Sequence, residues 1–131
     1  MARAKQNAIL SLFECKSGEV RETYETLIEK LTCKVGPFGV EVKKTSLHLT
    51  KGSAFAGVHP KKGWLDLTIR LSESLTGTRI RSAEQVSRNR WHNEIRLVAP
   101  KEVDSELLSW LAQAHALSGG GFVPSAKRNS P

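Results

Sequence analysis

The segment Trp64-Leu-Asp-Leu-Thr-Ile-Arg-Leu71 constrains the fold of this chain more than any other stretch. Successive side chains of an extended strand point to opposite faces. Leu65, Leu67, Ile69 and Leu71 therefore share one face, and Asp66, Thr68 and Arg70 share the other. Such a strand belongs in a sheet with one face packed on a core and one left to water. The apolar face needs a cover, and the rest of the chain must supply it.

Two segments have the pattern of that cover. Val20, Tyr24, Leu27, Ile28 and Leu31 recur at helical spacing. Ser17 stands where a helix cap would, with Glu19 and Glu22 near the positive end of the helix. Leu107, Trp110, Leu111 and Ala114 form a second apolar stripe, after Pro100 and the candidate cap Asp104. Between the helices the period is two. Leu47 and Leu49 alternate with Ser46 and His48, and Lys51-Gly52 reads as a hairpin turn before a strand over residues 53–59. A weaker strand is predicted over 79–86 and a clear one over 91–98. The expected fold is a two-layer α+β domain, ordered helix, short strands, helix. Its antiparallel sheet carries two main helices packed on one face.

At 131 residues this is the size of one domain, assigned to residues 8–118. Residues 1–7 read as a flexible basic arm, and 119–131, opening on three glycines, as a flexible Gly-rich, basic tail. No apolar run approaches the roughly 20 residues of a membrane span. The apolar stretch Ala8–Phe13, behind Arg3 and Lys5, is too short for a secretory signal, which points to the cytoplasm. Cys15 and Cys33 flank the first predicted helix, residues 18 to 31. That helix holds its ends roughly 20 Å apart at ~1.5 Å per residue. A disulfide needs Cα atoms within about 7 Å, so two free thiols are expected.

The net charge of +7 is unevenly placed. Residues 43–96 hold 11 lysines and arginines against Asp66, Glu73, Glu84 and Glu94. This basic middle suits an anionic partner. The bland alternative is a charged surface that keeps the protein in solution.

The stretch Val86–Leu97 comes nearest to a site. On the strand at 91–97, Trp91, Asn93, Ile95 and Leu97 face one way and His92, Glu94 and Arg96 the other. His48 joins that polar face if its strand enters the same sheet. His92, Glu94, Arg96 and His48 are thus the candidate ligand-binding residues. A histidine beside a carboxylate can transfer protons, but no nucleophile motif accompanies it and no catalytic residue is assigned. The plain alternative is cross-strand ion pairing. For nucleic acid the candidates are Lys61, Lys62, Arg88 and Arg90 on phosphates, with Trp64 stacking on a base. Basic residues 43, 44, 79 and 81 are further phosphate contacts in the same reading. Trp91 and Trp110 are assigned to the core. No metal or cofactor is expected, because the four histidines and two cysteines show no ligand spacing.

Three stretches together resemble a known family. They are Phe55-Ala-Gly-Val-His-Pro60 leading into the Trp64–Leu71 strand, Val86-Ser through Trp91-His92 and Ile95-Arg-Leu97, and Val103-Asp-Ser-Glu-Leu-Leu-Ser-Trp-Leu111. The chain is similar, from about residue 19 to 117, to a small bacterial domain of unknown function, the one numbered fifty-six fifty-five. An aromatic residue usual after the third stretch is replaced here by His115. The resemblance implies a compact α+β domain and brings no catalytic residues. The functional expectation is a non-enzymatic binding module for an unknown, anionic partner. Nucleic-acid binding through the basic sheet region is the alternative, and an enzyme using His92 the third reading.

Overall fold

The computed structural model describes residues 2–118, with side chains from Lys5 onward. Among these residues there are three α-helices: α1 (Ala2–Leu12), α2 (Gly18–Lys34) and α3 (Ser105–Leu117). Six strands lie between α2 and α3: β1 (Gly39–Val42), β2 (Leu47–Lys51), β3 (Ser53–Pro60), β4 (Leu65–Leu71), β5 (Ile80–Ser87) and β6 (Arg90–Leu97). They form one antiparallel sheet in the order β1-β2-β3-β4-β6-β5. The fold is α+β.

The alternation in β4 decides which side is core. Leu65, Leu67, Ile69 and Leu71 are buried, and they face Leu97, Ile95, Asn93 and Trp91 of β6 on the same side of the sheet. Leu47, Leu49 and Val58 extend this face across β2 and β3. Against it pack Leu27 and Leu31 of α2 and Leu107, Leu111 and Ala114 of α3. Leu27, Leu31, Leu107 and Leu111 are fully enclosed, each worth roughly 1.5–3 kcal/mol relative to an exposed side chain. Trp91 and Trp110, assigned to the core from sequence, are only half-buried.

Both ends of α3 are fixed by identifiable bonds. Asp104 caps α3 by accepting from the Leu107 amide at 3.0 Å. Arg79 clamps this cap from the turn just before β5, pairing with Asp104 at 3.0 Å and Glu106 at 3.1 Å, and donating to the Glu102 carbonyl. Those pairings engage the Arg79 charge, which the sequence reading had offered to phosphate. At the other end of α3, the Ser118 hydroxyl bonds to the carbonyls of Lys51 and Ser53. His115 stands edge-on to Phe55 and shares a 2.8 Å hydrogen bond with the Pro37 carbonyl. Ser17 occupies the cap position of α2, but its hydroxyl makes no capping bond; its amide instead donates to Lys62 at 2.9 Å.

Residues 2–7 correct the sequence reading. They belong to α1 rather than to a flexible arm. Nothing in Ala2–Asn7 opposes a helix, since the stretch lacks proline and glycine and alanine is the best helix former. Ile9 and Leu12 then pack against the core. Cys15 takes a left-handed conformation (φ 64°) where the chain turns from α1 to α2. Helix α2 runs on to Lys34, so Cys33 lies in its last turn; both cysteines are free and exposed. The expected tail at 119–131 lies outside the described residues.

Candidate functional site

The face of the sheet turned away from the helices carries the polar residues. Pairing register sets their neighbours. Asp66 of β4 lies opposite Arg96 of β6, Thr68 opposite Glu94, and Arg70 opposite His92. On the other side of β4, Thr68 faces Gly57 and Asp66 faces His59 of β3. His48 of β2 faces Gly57, and Glu84 of β5 faces His92. One row therefore reads His48, Gly57, Thr68, Glu94.

Gly57 is the floor of a concavity of about 520 Å³. Its missing side chain matters because a Cβ built there would lie 3.4 Å from His59 Nε2 and 3.9 Å from Thr68 Cβ. His48, His59 and His92 line the recess with Arg70 and Arg90, and Val86 and Ser87 at the end of β5 border it. Arg70 is held in place by donating from Nη1 to the Ala54 carbonyl. The β-bulge between Leu49 and Thr50 brings Ala54 opposite Thr50, while Phe55 and Ala56 are buried in succession.

Electrostatics follow from this crowding. Burial, and then the Arg70 guanidinium, lower the His92 pKa; Glu84 opposes and Arg90 adds to the lowering. Burial also lowers that of His59, aided by Lys61 and His48 against Asp66 and Glu94. Arg70 is itself lowered by burial and by Arg90. Among the described residues, neither Arg70 nor Arg90 has a carboxylate within ion-pair distance.

The candidate quartet is split by this geometry. His92 and His48 line the concavity, whereas Glu94 and Arg96 lie beside it with other partners. Glu94 accepts from the Ser82 hydroxyl at 3.2 Å. Arg96 sits 4.2 Å from the Trp64 ring centre and 3.7 Å from Asp66 Oδ1. At that separation the two charges attract without a hydrogen bond, and Asp66 Oδ1, Arg96 Nε and Trp64 Nε1 are buried without a hydrogen-bond partner. Trp64, proposed as a stacking platform, thus already has one ring face covered by a guanidinium. The nucleic-acid candidates fall into two groups. Lys61 and Lys62 lie in the turn before β4, and Arg88 and Arg90 beside its far end. These ends are separated by roughly 20 Å at ~3.3 Å per strand residue.

His59, Arg70 and Gly57 were not singled out from sequence. Their alternation with Val58 and Ile69 was the available signal, but only the pairing of β3 with β4 shows that they share a recess. Among the described residues, no group of three histidine, cysteine or acidic side chains is placed to hold a metal ion. No helix among them is long and apolar enough to cross a membrane.

Fold and site together define an α+β domain with an open antiparallel sheet and a histidine- and arginine-lined recess on its outer face. A family model matches residues 9–118, and the chain belongs to that family, the domain of unknown function DUF5655. No curated protein and no solved structure matches the chain.

Proposed function

We propose that this domain is a non-enzymatic binding module that takes an anionic ligand in the recess over Gly57. One observation carries the reading. Arg70, fixed by the Ala54 carbonyl, shares the recess with Arg90 and His92 and no carboxylate pairs with either arginine among the described residues. Like charges held together repel each other, and a bound anion relieves that cost. A guanidinium supplies planar, paired donors suited to carboxylate or phosphate. The two exposed free cysteines fit a reducing compartment, which supports a cytoplasmic setting.

The test uses inorganic phosphate with the full chain. Titration followed by histidine ring NMR signals is expected to shift those of His48, His59 and His92 together, while His115, across the sheet, stays still. Arg90→Ala is expected to weaken the response at least several-fold with an unchanged fold. Phosphate shifts spread over the whole surface, or unchanged by Arg90→Ala, overturn the proposal.

A further inference from the structure

We infer that the outer face binds single-stranded nucleic acid, with phosphates at the two ends of the recess and bases over the histidines between them. The inference rests on the anion-binding reading and names its partner. Its starting point is that the recess does not end at its own walls. His59 also lines a second hollow, of about 370 Å³, with Lys16, Lys44, Thr45 and Lys61. At the opposite end Arg70 and Arg90 line a third, of about 210 Å³, with Ser53, Ser72 and Asn89; it leaves the outer face there and runs round to Ala114, Leu117 and Ser118 at the end of α3. Three hollows thus lie in sequence, joined through His59 and through the arginine pair.

Register gives the spacing. His59 pairs with Asp66, and Arg70 lies four residues further along β4. His59, where the lysine hollow begins, and Arg70 are therefore separated by roughly 13 Å at ~3.3 Å per residue, and Lys61 lies farther out. One compact anion engages one end, whereas a chain of phosphates engages both. Lys16, Lys44 and Lys61, like the two arginines, have no carboxylate within ion-pair distance among the described residues. Of the acids of this face, Asp66 lies against Arg96 and Glu41 pairs with Lys43, while Glu94 holds the Ser82 hydroxyl and Glu84 lies opposite His92. Three lysines at one end and two arginines at the other are thus left without a carboxylate partner among the described residues.

The middle has a different chemistry. Burial and neighbouring cations favour neutral rings at His59 and His92. Neutral imidazoles are stacking surfaces for unpaired bases, and Thr68 and Ser87 add hydroxyls for base or sugar edges. A recess floored by a glycine between histidine rings admits a single strand; the convex wall of a duplex would rest on the rims. An acidic peptide would meet the cations but has no planar bases for the rings.

The experiment is fluorescence anisotropy of the full chain with labelled 12-nucleotide single strands of DNA and RNA, and with a 12-base-pair duplex. Parallel calorimetry uses inorganic phosphate and an oligoglutamate peptide. Single strands are expected to bind at about 10⁻⁴–10⁻⁶ M at physiological salt, more tightly than the duplex. The paired change Lys44→Ala, Lys61→Ala should flatten the log–log salt slope by about 1.4, two phosphates at roughly 0.7 each. Gly57→Val should cost about tenfold in affinity, within the range of one lost stacked base, at unchanged melting temperature. Replacing Lys127 and Arg128 by serine should leave binding intact. Equal binding of duplex and single strand, preference for the peptide, or loss of binding with Lys127 and Arg128 overturns the inference. If phosphate binds through Arg90 and oligonucleotides do no better, the anion site stands and the nucleic-acid inference fails. If neither binds, both fail.

Discussion

Asn93 is the place to test whether the core is held by specific polar bonds as well as by apolar burial. It is fully enclosed on the core face of β6, where its neighbours Trp91, Ile95 and Leu97 are apolar. Its Oδ1 accepts from the Leu75 amide at 2.8 Å. Its Nδ2 donates to the carbonyls of Glu73 at 3.3 Å and Ile69 at 3.5 Å. One side chain thus fastens the connection leaving β4 to the strand beside it. Asn93→Ala strands the Leu75 amide, at about 1–3 kcal/mol, and removes two long bonds worth at most about 1 kcal/mol each. The expected loss is about 2–4 kcal/mol by urea denaturation, with the Leu75 amide losing its protection from hydrogen exchange. Asn93→Asp keeps an acceptor for Leu75 but turns a charge toward two carbonyl oxygens. Burial and those carbonyls raise the folded-state pKa of the introduced carboxyl above its unfolded value of about 3.9. Its penalty therefore grows as pH rises above about 4 and shrinks on acidification, when a neutral carboxyl can donate to Glu73. A loss under about 0.5 kcal/mol for Asn93→Ala, or a pH-independent penalty for Asn93→Asp, would refute the reasoning.

Four further outcomes are expected. Leu111→Ala should cost about 2–5 kcal/mol in chemical denaturation, since the side chain is fully buried between α3 and the sheet; a loss below about 0.5 kcal/mol would contradict that docking. His92→Gln should change stability by no more than about 0.5 kcal/mol while weakening phosphate binding. Because the His59 and His92 pKa values are lowered by folding, the unfolded chain takes up their protons first. Stability should therefore fall as pH drops through about 6.5, and the double variant His59→Gln, His92→Gln should flatten that fall; an unchanged slope would refute the assignment. Thiol titration of the native chain should find two accessible groups, Cys15 and Cys33, and a lower count would mean that one is covered or bonded.

The elements that could be read from sequence were those with an uninterrupted period. The strict alternation from Leu65 to Leu71, and from Trp91 to Leu97, placed both strands and assigned both faces of each. The stripes of α2 and α3 were equally plain because large apolar residues mark every turn. Helix α1 was missed where residues 2–7 offer only alanines between polar side chains, so that propensity rather than pattern forms it. The recess was illegible for a different reason. Its walls come from β2, β3, β4 and the β5–β6 hairpin, and only register puts Arg70 opposite His92 and His59 beyond Gly57. The bulge after Leu49 also buries Phe55 and Ala56 in succession, which interrupts the alternation along β3 before Gly57. Glu94 and Arg96 were correctly placed on the outer face, but sequence could not show that Ser82, Asp66 and Trp64 engage them.

Gly57 gives the recess an unusual heritable character. The hollow exists because one side chain is absent, and the backbone there does not adopt the left-handed conformation that would demand glycine. Larger residues are therefore compatible with the strand, and alanine would make only ordinary contacts with His59 and Thr68. Selection for folding alone has no reason to keep this glycine; selection for an open recess does. Among natural variants of this domain, position 57 should separate copies that retain the ligand from copies that keep only the scaffold. A single nucleotide change suffices to convert the first kind into the second.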